Sequence, residues 1–181
     1  VEVEPETTVE ALWAEAKHGS VERSLPYSTS VRQPLAAVAV NHLSGVVTST
    51  AGGEVDTGDV LFVVGDTPVR VVAAQAPFWR AMKRGDRGDD VAALQRMLGE
   101  MEYYSGEANG IFGAATQAGV RAWQRTEGRH RTGQVALGEL IAVDQLPVTV
   151  ALGEAIVAGQ PVSGGEEAVL TSTGERSFVV V

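Results

Sequence analysis

Hydrophobic periodicity changes twice along this chain, and that change limits the fold more than any single motif does. Residues 1 to about 78 read as strands: Val38-Ala39-Val40 and Val46-Val47-Thr48 are β-branched runs broken by turn residues, and Gly52-Gly53 is a tight-turn signal between two such runs. Val60-Leu61-Phe62-Val63-Val64 and Pro68-Val69-Arg70-Val71-Val72 predict a hairpin turning at Gly65-Asp66. Pro68 lacks an N–H donor and belongs at a strand start or on an edge. The period then moves from two to near 3.6. Val91, Leu94, Leu98 and Met101 fall on one face of a helix, with Asp89 and Asp90 at its start to cap free N–H groups and suit the dipole. A second helix is predicted over about 114–126, with Thr116, Gly119, Val120 and Trp123 facing inward and Gly128 as its stop.

From about residue 135 the strand pattern returns, in Leu140-Ile141-Ala142-Val143 and Val148-Thr149-Val150, with the closing Phe178-Val179-Val180-Val181 as a further strand. The second half loosely echoes the first. Gly53-Glu54-Val55-Asp56-Thr57-Gly58-Asp59-Val60-Leu61 has a counterpart, one residue longer, in Gly153-Glu154-Ala155-Ile156-Val157-Ala158-Gly159-Gln160-Pro161-Val162. The reading is an α+β chain: a discontinuous β domain over 1–78 and 138–181, interrupted by a helical module over 79–137. The simplest geometry pairs the two β halves with each other and places the insert at a tip.

Composition removes several classes. The apolar share of 44% is too high for disorder, and no apolar run approaches the ~20 residues of a membrane span. With 23 acidic residues against 14 basic ones, a net charge of −9, the balance argues against nucleic acid as a partner. There is no cysteine, hence no disulfide, thiolate metal site or thiol nucleophile. Both ends read as cut, so the expectation is a fragment of a longer protein, with any membrane anchor or export signal outside it.

The residues that carry chemistry are sparse. His18, His42 and His130 are scattered, none at i, i+4 from another ligand, so no metal is expected. Neither a Gly-x-Ser-x-Gly elbow nor a phosphate loop is present. The acidic pairs Asp89-Asp90 and Glu166-Glu167 read as a helix cap and a solvated turn. Glu107-Ala108-Asn109-Gly110 lacks the closing glutamate of a calcium loop and reads as a tight turn needing Gly110. A non-enzymatic protein without a cofactor is expected.

The middle segment resembles a peptidoglycan-binding domain of the small three-helix type. The resemblance is carried by Lys83-Arg84-Gly85-Asp86-Arg87-Gly88-Asp89-Asp90-Val91, Leu94-Gln95, Leu98, Tyr103-Tyr104, Asn109-Gly110-Ile111-Phe112-Gly113, Thr116, Val120, Trp123-Gln124 and Thr132-Gly133. In place of the third helix stands Leu137-Gly138-Glu139-Leu140-Ile141-Ala142-Val143, a returning strand. The resemblance implies peptidoglycan as a partner. A glycan groove calls for aromatic faces and amide or guanidinium donors, which Tyr104, Asn109, Phe112, Arg121 and Gln124 are candidates to supply. The alternative reading keeps Phe112 and Trp123 in the core and has Gln95 and Gln124 holding loop backbone.

The flanking halves resemble the β-barrel and lipoyl-like hairpins of membrane fusion (periplasmic adaptor) proteins of the HlyD-like family. The residues are Gly45-Val46-Val47-Thr48, Gly53-Glu54-Val55, Gly58-Asp59-Val60-Leu61 and Gly159-Gln160-Pro161-Val162. No lysine stands at the Gly52-Gly53-Glu54 turn to be acylated, and Ala81-Met82-Lys83 lies well past it, so a carrier role is not expected. This second resemblance implies an extracytoplasmic adaptor, membrane-anchored in the full protein and facing the cell wall, of the kind found in actinobacteria. A membrane ABC transporter subunit would be its partner, and it could be a homo-oligomer. Two other classes stay open: a wall-targeting module of a secreted hydrolase, and a structural spacer at the wall.

Overall fold

The computed structural model describes residues 29–32, 35–172 and 177–180; His18 and the rest of residues 1–28 lie outside the described residues. The elements run β1 (Thr29–Arg32), β2 (Leu35–Val40), β3 (Gly45–Thr50), β4 (Gly53–Val55), β5 (Val60–Val64), β6 (Thr67–Ala73), α1 (Asp89–Glu100), α2 (Ala114–Thr126), β7 (Leu140–Val143), β8 (Val148–Leu152), β9 (Pro161–Val162), β10 (Glu167–Ser172) and β11 (Ser177–Val180). The strands form a five-stranded sheet in the order β7-β6-β5-β3-β9, a four-stranded sheet in the order β2-β10-β8-β4, and a two-stranded ribbon of β1 and β11. The fold is therefore mixed α+β. Among the described residues the sheets are open, not the closed barrel that the adaptor resemblance implies.

The β5–β6 hairpin forms where the turn residues place it, with Gly65 at φ 63. Pro68 sits near the start of β6, ahead of Arg70 where β7 joins, so no β7 partner needs its missing N–H. β6 and β7 run parallel, pairing Arg70 with Leu140 through Ala73 with Val143. Parallel neighbours cannot be joined by a tight turn and need a crossover. The helical segment is that crossover.

Its position corrects the expectation of an insert at a tip. Side chains alternate across a strand, so β6 and β7 present two faces. Val69, Val71, Ile141 and Val143 point into a β core with Val47, Leu61, Phe62 and Val169. Val72 and Leu140 point the other way, into a core with Val91, Leu94, Met97, Leu98, Phe112, Val120 and Trp123. The helices thus cover the back of the β6–β7 edge of the sheet. Met82 and Val135 close the neck of the segment, exchanging backbone hydrogen bonds of 2.8 and 2.9 Å.

The internal echo is structural. Asp56-Thr57-Gly58-Asp59 and Val157-Ala158-Gly159-Gln160 are the same turn, with glycine at φ 82 and 88 and closing bonds of 3.1 and 3.0 Å. Each carries the chain from the four-stranded sheet into the five-stranded one, where β5 and β9 flank β3. One local expectation is corrected. The Gly52-Gly53 turn does not make a hairpin: β3 pairs with β5 and β9, whereas β4 pairs with β8, so these glycines pass the chain between sheets. Glu166 lies in the solvated turn expected for it, and it also organises that turn. Its carboxylate accepts the N–H groups of Ser163 (2.7 Å) and Gly164 (3.0 Å) and the amide of buried Asn41 (3.0 Å). Those bonds, the one from Ser163 first, hold its pKa down at about 2.

Candidate functional site

The helical segment carries every candidate side chain, and two buried glutamines shape its surface. α1 forms because Val91, Leu94 and Leu98 recur at helical spacing, joined by Ala93 and Met97; all five are fully buried, and Met101 is half-buried. Its N-cap is Gly88, at φ 151, and not an aspartate side chain. Asp89 is exposed. Asp90 is buried, accepts from the Val91 N–H (2.9 Å), and receives Arg80 through Nε at 2.7 Å and Nη2 at 3.1 Å. The Arg80 hydrogen bond holds the Asp90 carboxyl below its ordinary range, and Arg80 also stacks over Trp79 at 4.8 Å.

Gln95, 1% exposed, organises the loop that follows α1. Its Oε1 accepts from the Gly110 N–H (2.9 Å), and its Nε2 donates to the Ile111 carbonyl (3.0 Å) and the Thr116 hydroxyl (2.9 Å). Asn109 is exposed, and its Oδ1 turns back to the Ile111 N–H at 3.0 Å, so the side chain closes an Asx-type turn. Gly110, at φ 71, lies against the Gly88 carbonyl, where an added Cβ would stand 2.9 Å away. Tyr104 is half-buried, and its hydroxyl donates to the Glu107 carbonyl at 3.0 Å. Phe112 is 1% exposed and belongs to the helical core. This corrects its candidacy as a binding platform, because its ring has no face to offer.

Gln124 repeats the device on α2. Also 1% exposed, it accepts from the Gly133 N–H (2.9 Å) and donates to the Gln134 carbonyl (2.8 Å) and the Thr132 hydroxyl (3.0 Å). Its amide is spent on the 132–134 turn, which corrects its candidacy as a ligand donor as well. The inner face of α2 is the predicted one, with Thr116, Gly119, Val120 and Trp123 buried. Gly128, at φ 70, ends the helix as expected.

The outer face of α2 is a shallow depression of about 460 Å³ lined by Ala118, Arg121, Ala122, Arg125 and Arg131. All three arginines are exposed. None forms an ion pair with a described residue, whereas Arg70, Arg80 and Arg129 are all paired. Arg121 was expected; Arg125 and Arg131 were not, although the i, i+3, i+4, i+7 spacing of 118, 121, 122 and 125 is a sequence signal for one shared face.

A further network, absent from the sequence reading, fixes α2 to the sheet. Arg70 of β6 bonds to the Gly58 carbonyl and to Glu127 Oε1. Trp123 Nε1 donates to the same carboxylate at 2.7 Å, and Arg129 meets both Glu127 Oε2 (3.3 Å) and Glu139 Oε1 (2.9 Å). The guanidinium groups of Arg70 and Arg129 lie 6.0 and 5.8 Å from the Trp123 ring.

Comparison with known proteins bears on this segment. Residues 87–135 match the family described as "Putative peptidoglycan binding domain". A solved structure, the crystal structure of SleB N-terminal domain, matches at 31% identity over 34% of this chain and 84% of that one, with a TM-score of 0.33. No curated protein matches. No helix among the described residues is long and apolar enough to cross a membrane.

Proposed function

We propose that this chain is a wall-targeting module: the helical segment binds peptidoglycan, and the β body holds it in a fixed orientation. The match of residues 87–135 to a peptidoglycan-binding family carries this reading. The geometry supports it in two ways. The two loops that follow the helices are tied down by Gln95 and Gln124, so their surface is preorganised, which lowers the ordering cost of binding. The seam at Trp123 and Glu127 joins α2 to β6, so a load on the bound segment passes into the sheet. In this reading the chain is non-enzymatic and extracytoplasmic, at the cell wall, and targets a wall-acting protein. Tyr104 and Asn109, at the rim of the loop, and Arg121 remain the contact candidates from the sequence.

The adaptor reading has one observation of its own, the pairing of strands from either side of the helical segment in both large sheets. It would add a membrane transporter as a partner. Wall binding is common to both readings and is tested by mixing the chain with purified insoluble peptidoglycan at low salt and centrifuging. Most of the protein is expected in the pellet; recovery wholly in the supernatant would overturn the function. Co-purification of a membrane transporter with the full-length protein would favour the adaptor.

A further inference from the structure

We infer that the outer face of α2 is an anion-binding cradle, and that it recognises the negatively charged groups of the wall rather than its neutral sugar backbone. The inference rests on the wall-binding reading and assigns its chemistry. Arg121, Arg125 and Arg131 ring a depression floored by Ala118 and Ala122, and no carboxylate lines it. The chain as a whole carries −9, yet residues 79–137 hold nine Arg and Lys against seven Asp and Glu. The positive charge is thus concentrated on the module and, in this depression, is left without a described counter-ion. The half-buried Arg70, Arg80 and Arg129 are paired, whereas the exposed Arg84, Arg87 and Arg96 form no ion pair with a described residue, so what sets Arg121, Arg125 and Arg131 apart is their convergence on one depression.

Helix-dipole compensation accounts for Arg125, in the last turn of α2. It does not account for Arg121, a turn earlier, or for Arg131, beyond the helix. Arg121 is also seated. Gly133 lies beneath it, where an added Cβ would come within 2.8 Å of Arg121 Nε and 2.8 Å of Gln117 Cγ. The turn that carries Gly133 is the one Gln124 clamps. The buried glutamine therefore sets the wall of the depression and the course of one arginine across it. The alanine floor leaves room for an extended chain to approach, and the guanidinium fork suits carboxylates and phosphates, which it can grip through two oxygens at once.

Two wall chemistries carry such groups: the carboxylates of peptide cross-bridges and the phosphodiesters of wall polymers. The experiment uses the whole chain with three insoluble partners: untreated wall, wall stripped of phosphodiester polymers by hydrofluoric acid, and chitin as a neutral glycan. Wild-type protein is expected to bind untreated wall, to leave chitin unbound, and to be released as sodium chloride rises, since exposed charges are screened over about 10 Å at 0.1 M. Binding kept on stripped wall identifies carboxylates; binding lost there identifies phosphodiesters. The Arg121→Gln/Arg125→Gln variant is expected to bind about tenfold more weakly, each exposed charge contact giving a factor of a few. The Arg121→Lys/Arg125→Lys variant is expected to fall between wild type and the Gln variant, because it keeps the charge and loses the two-oxygen grip. Neither side chain is buried, so the Lys variant should keep the wild-type thermal midpoint and the Gln variant should lose only the dipole compensation of Arg125, a fall of no more than about 4 °C. Salt-independent binding, equal binding to chitin, or full binding by the Gln variant would overturn the cradle while leaving wall binding intact. No pelleting of the wild type would overturn both.

Discussion

Replacing Gln95 with alanine should separate the loop from the helix that holds it. The magnitude follows from the bonds lost. The Gly110 N–H, donated to Oε1 at 2.9 Å, is left without that acceptor in a buried position, which costs about 1–3 kcal/mol. The Ile111 carbonyl and the Thr116 hydroxyl lose their donor, at 3.0 and 2.9 Å, for about 0.5–1.5 kcal/mol each. The vacated volume adds a cavity term, partly recovered by the higher helix propensity of alanine. The sum is about 3–5 kcal/mol, a large share of the roughly 5–15 kcal/mol that holds a typical domain. For a chain of 181 residues that is a fall in thermal midpoint of about 10 °C. Urea unfolding gives the free energy, and amide hydrogen exchange gives the location, because the Gly110 N–H should lose its protection first. A change below about 1 kcal/mol, with the Gly110 amide still protected, would refute the assignment of Gln95 as the loop's organiser.

Glu166→Gln should lower the thermal midpoint at pH 7. The folded carboxyl titrates near 2, below its ordinary value of 4.5, so the stabilisation it gives is complete above 4.5 and disappears as pH falls toward 2. The gap between variant and wild type should close over that window, and a pH-independent gap would contradict the hydrogen-bonded turn. The echo supplies a matched pair. A Cβ at Gly153 would lie 1.8 Å from the Glu167 carbonyl oxygen, while at Gly53 it would meet nothing within 4 Å. Gly153→Ala should cost about 3 kcal/mol or more, and Gly53→Ala only the strain of its φ, about 1 kcal/mol, both read by urea unfolding. Phe112→Ala should destabilise by about 3–5 kcal/mol if the ring is core, whereas a ring that only met ligand would change wall pelleting and leave the midpoint unmoved.

Much of the fold was legible because its signals are local. The helical periodicity of Val91, Leu94 and Leu98 and the turn at Gly65-Asp66 each depend on neighbours within a few residues, and both formed as read. The pairings that depend on distant strands were not legible in the same way. Gly52-Gly53 is as good a hairpin signal as Gly65-Asp66, yet β4 finds β8 and β3 finds β5 and β9. Nothing within that turn records which strand lies across the sheet. The placement of the helices failed for a related reason. Val71-Val72 and Leu140-Ile141 look like uniform apolar strand, and only a sheet covered on both faces uses both sets of side chains. The unbroken apolar stretches Val71-Val72-Ala73 in β6 and Leu140-Ile141-Ala142-Val143 in β7 were the trace of a second core.

The candidate site divides along the same line, by whether a residue's role is set by chemistry or by position. An aromatic or an amide between helices has the chemistry to meet a glycan, and Phe112 and Gln124 carried that reading until burial decided otherwise. Residue type cannot separate a glutamine that clamps a turn from one that greets a ligand, because the same donors and acceptors serve both. Position can. Gln95 and Gln124 each stand on the inner side of a helix, beside the loop that follows it, where an unpaired amide would be costly. Arg121, Arg125 and Arg131 stand outside, where remaining unpaired costs little and charge is free to meet a partner. A buried amide that shapes a turn and an exposed guanidinium laid across that turn are therefore two halves of one arrangement. Loosening Gln124 should accordingly weaken anion binding through Arg121 without touching any arginine, as a fall in wall pelleting that accompanies loss of Gly133 amide protection.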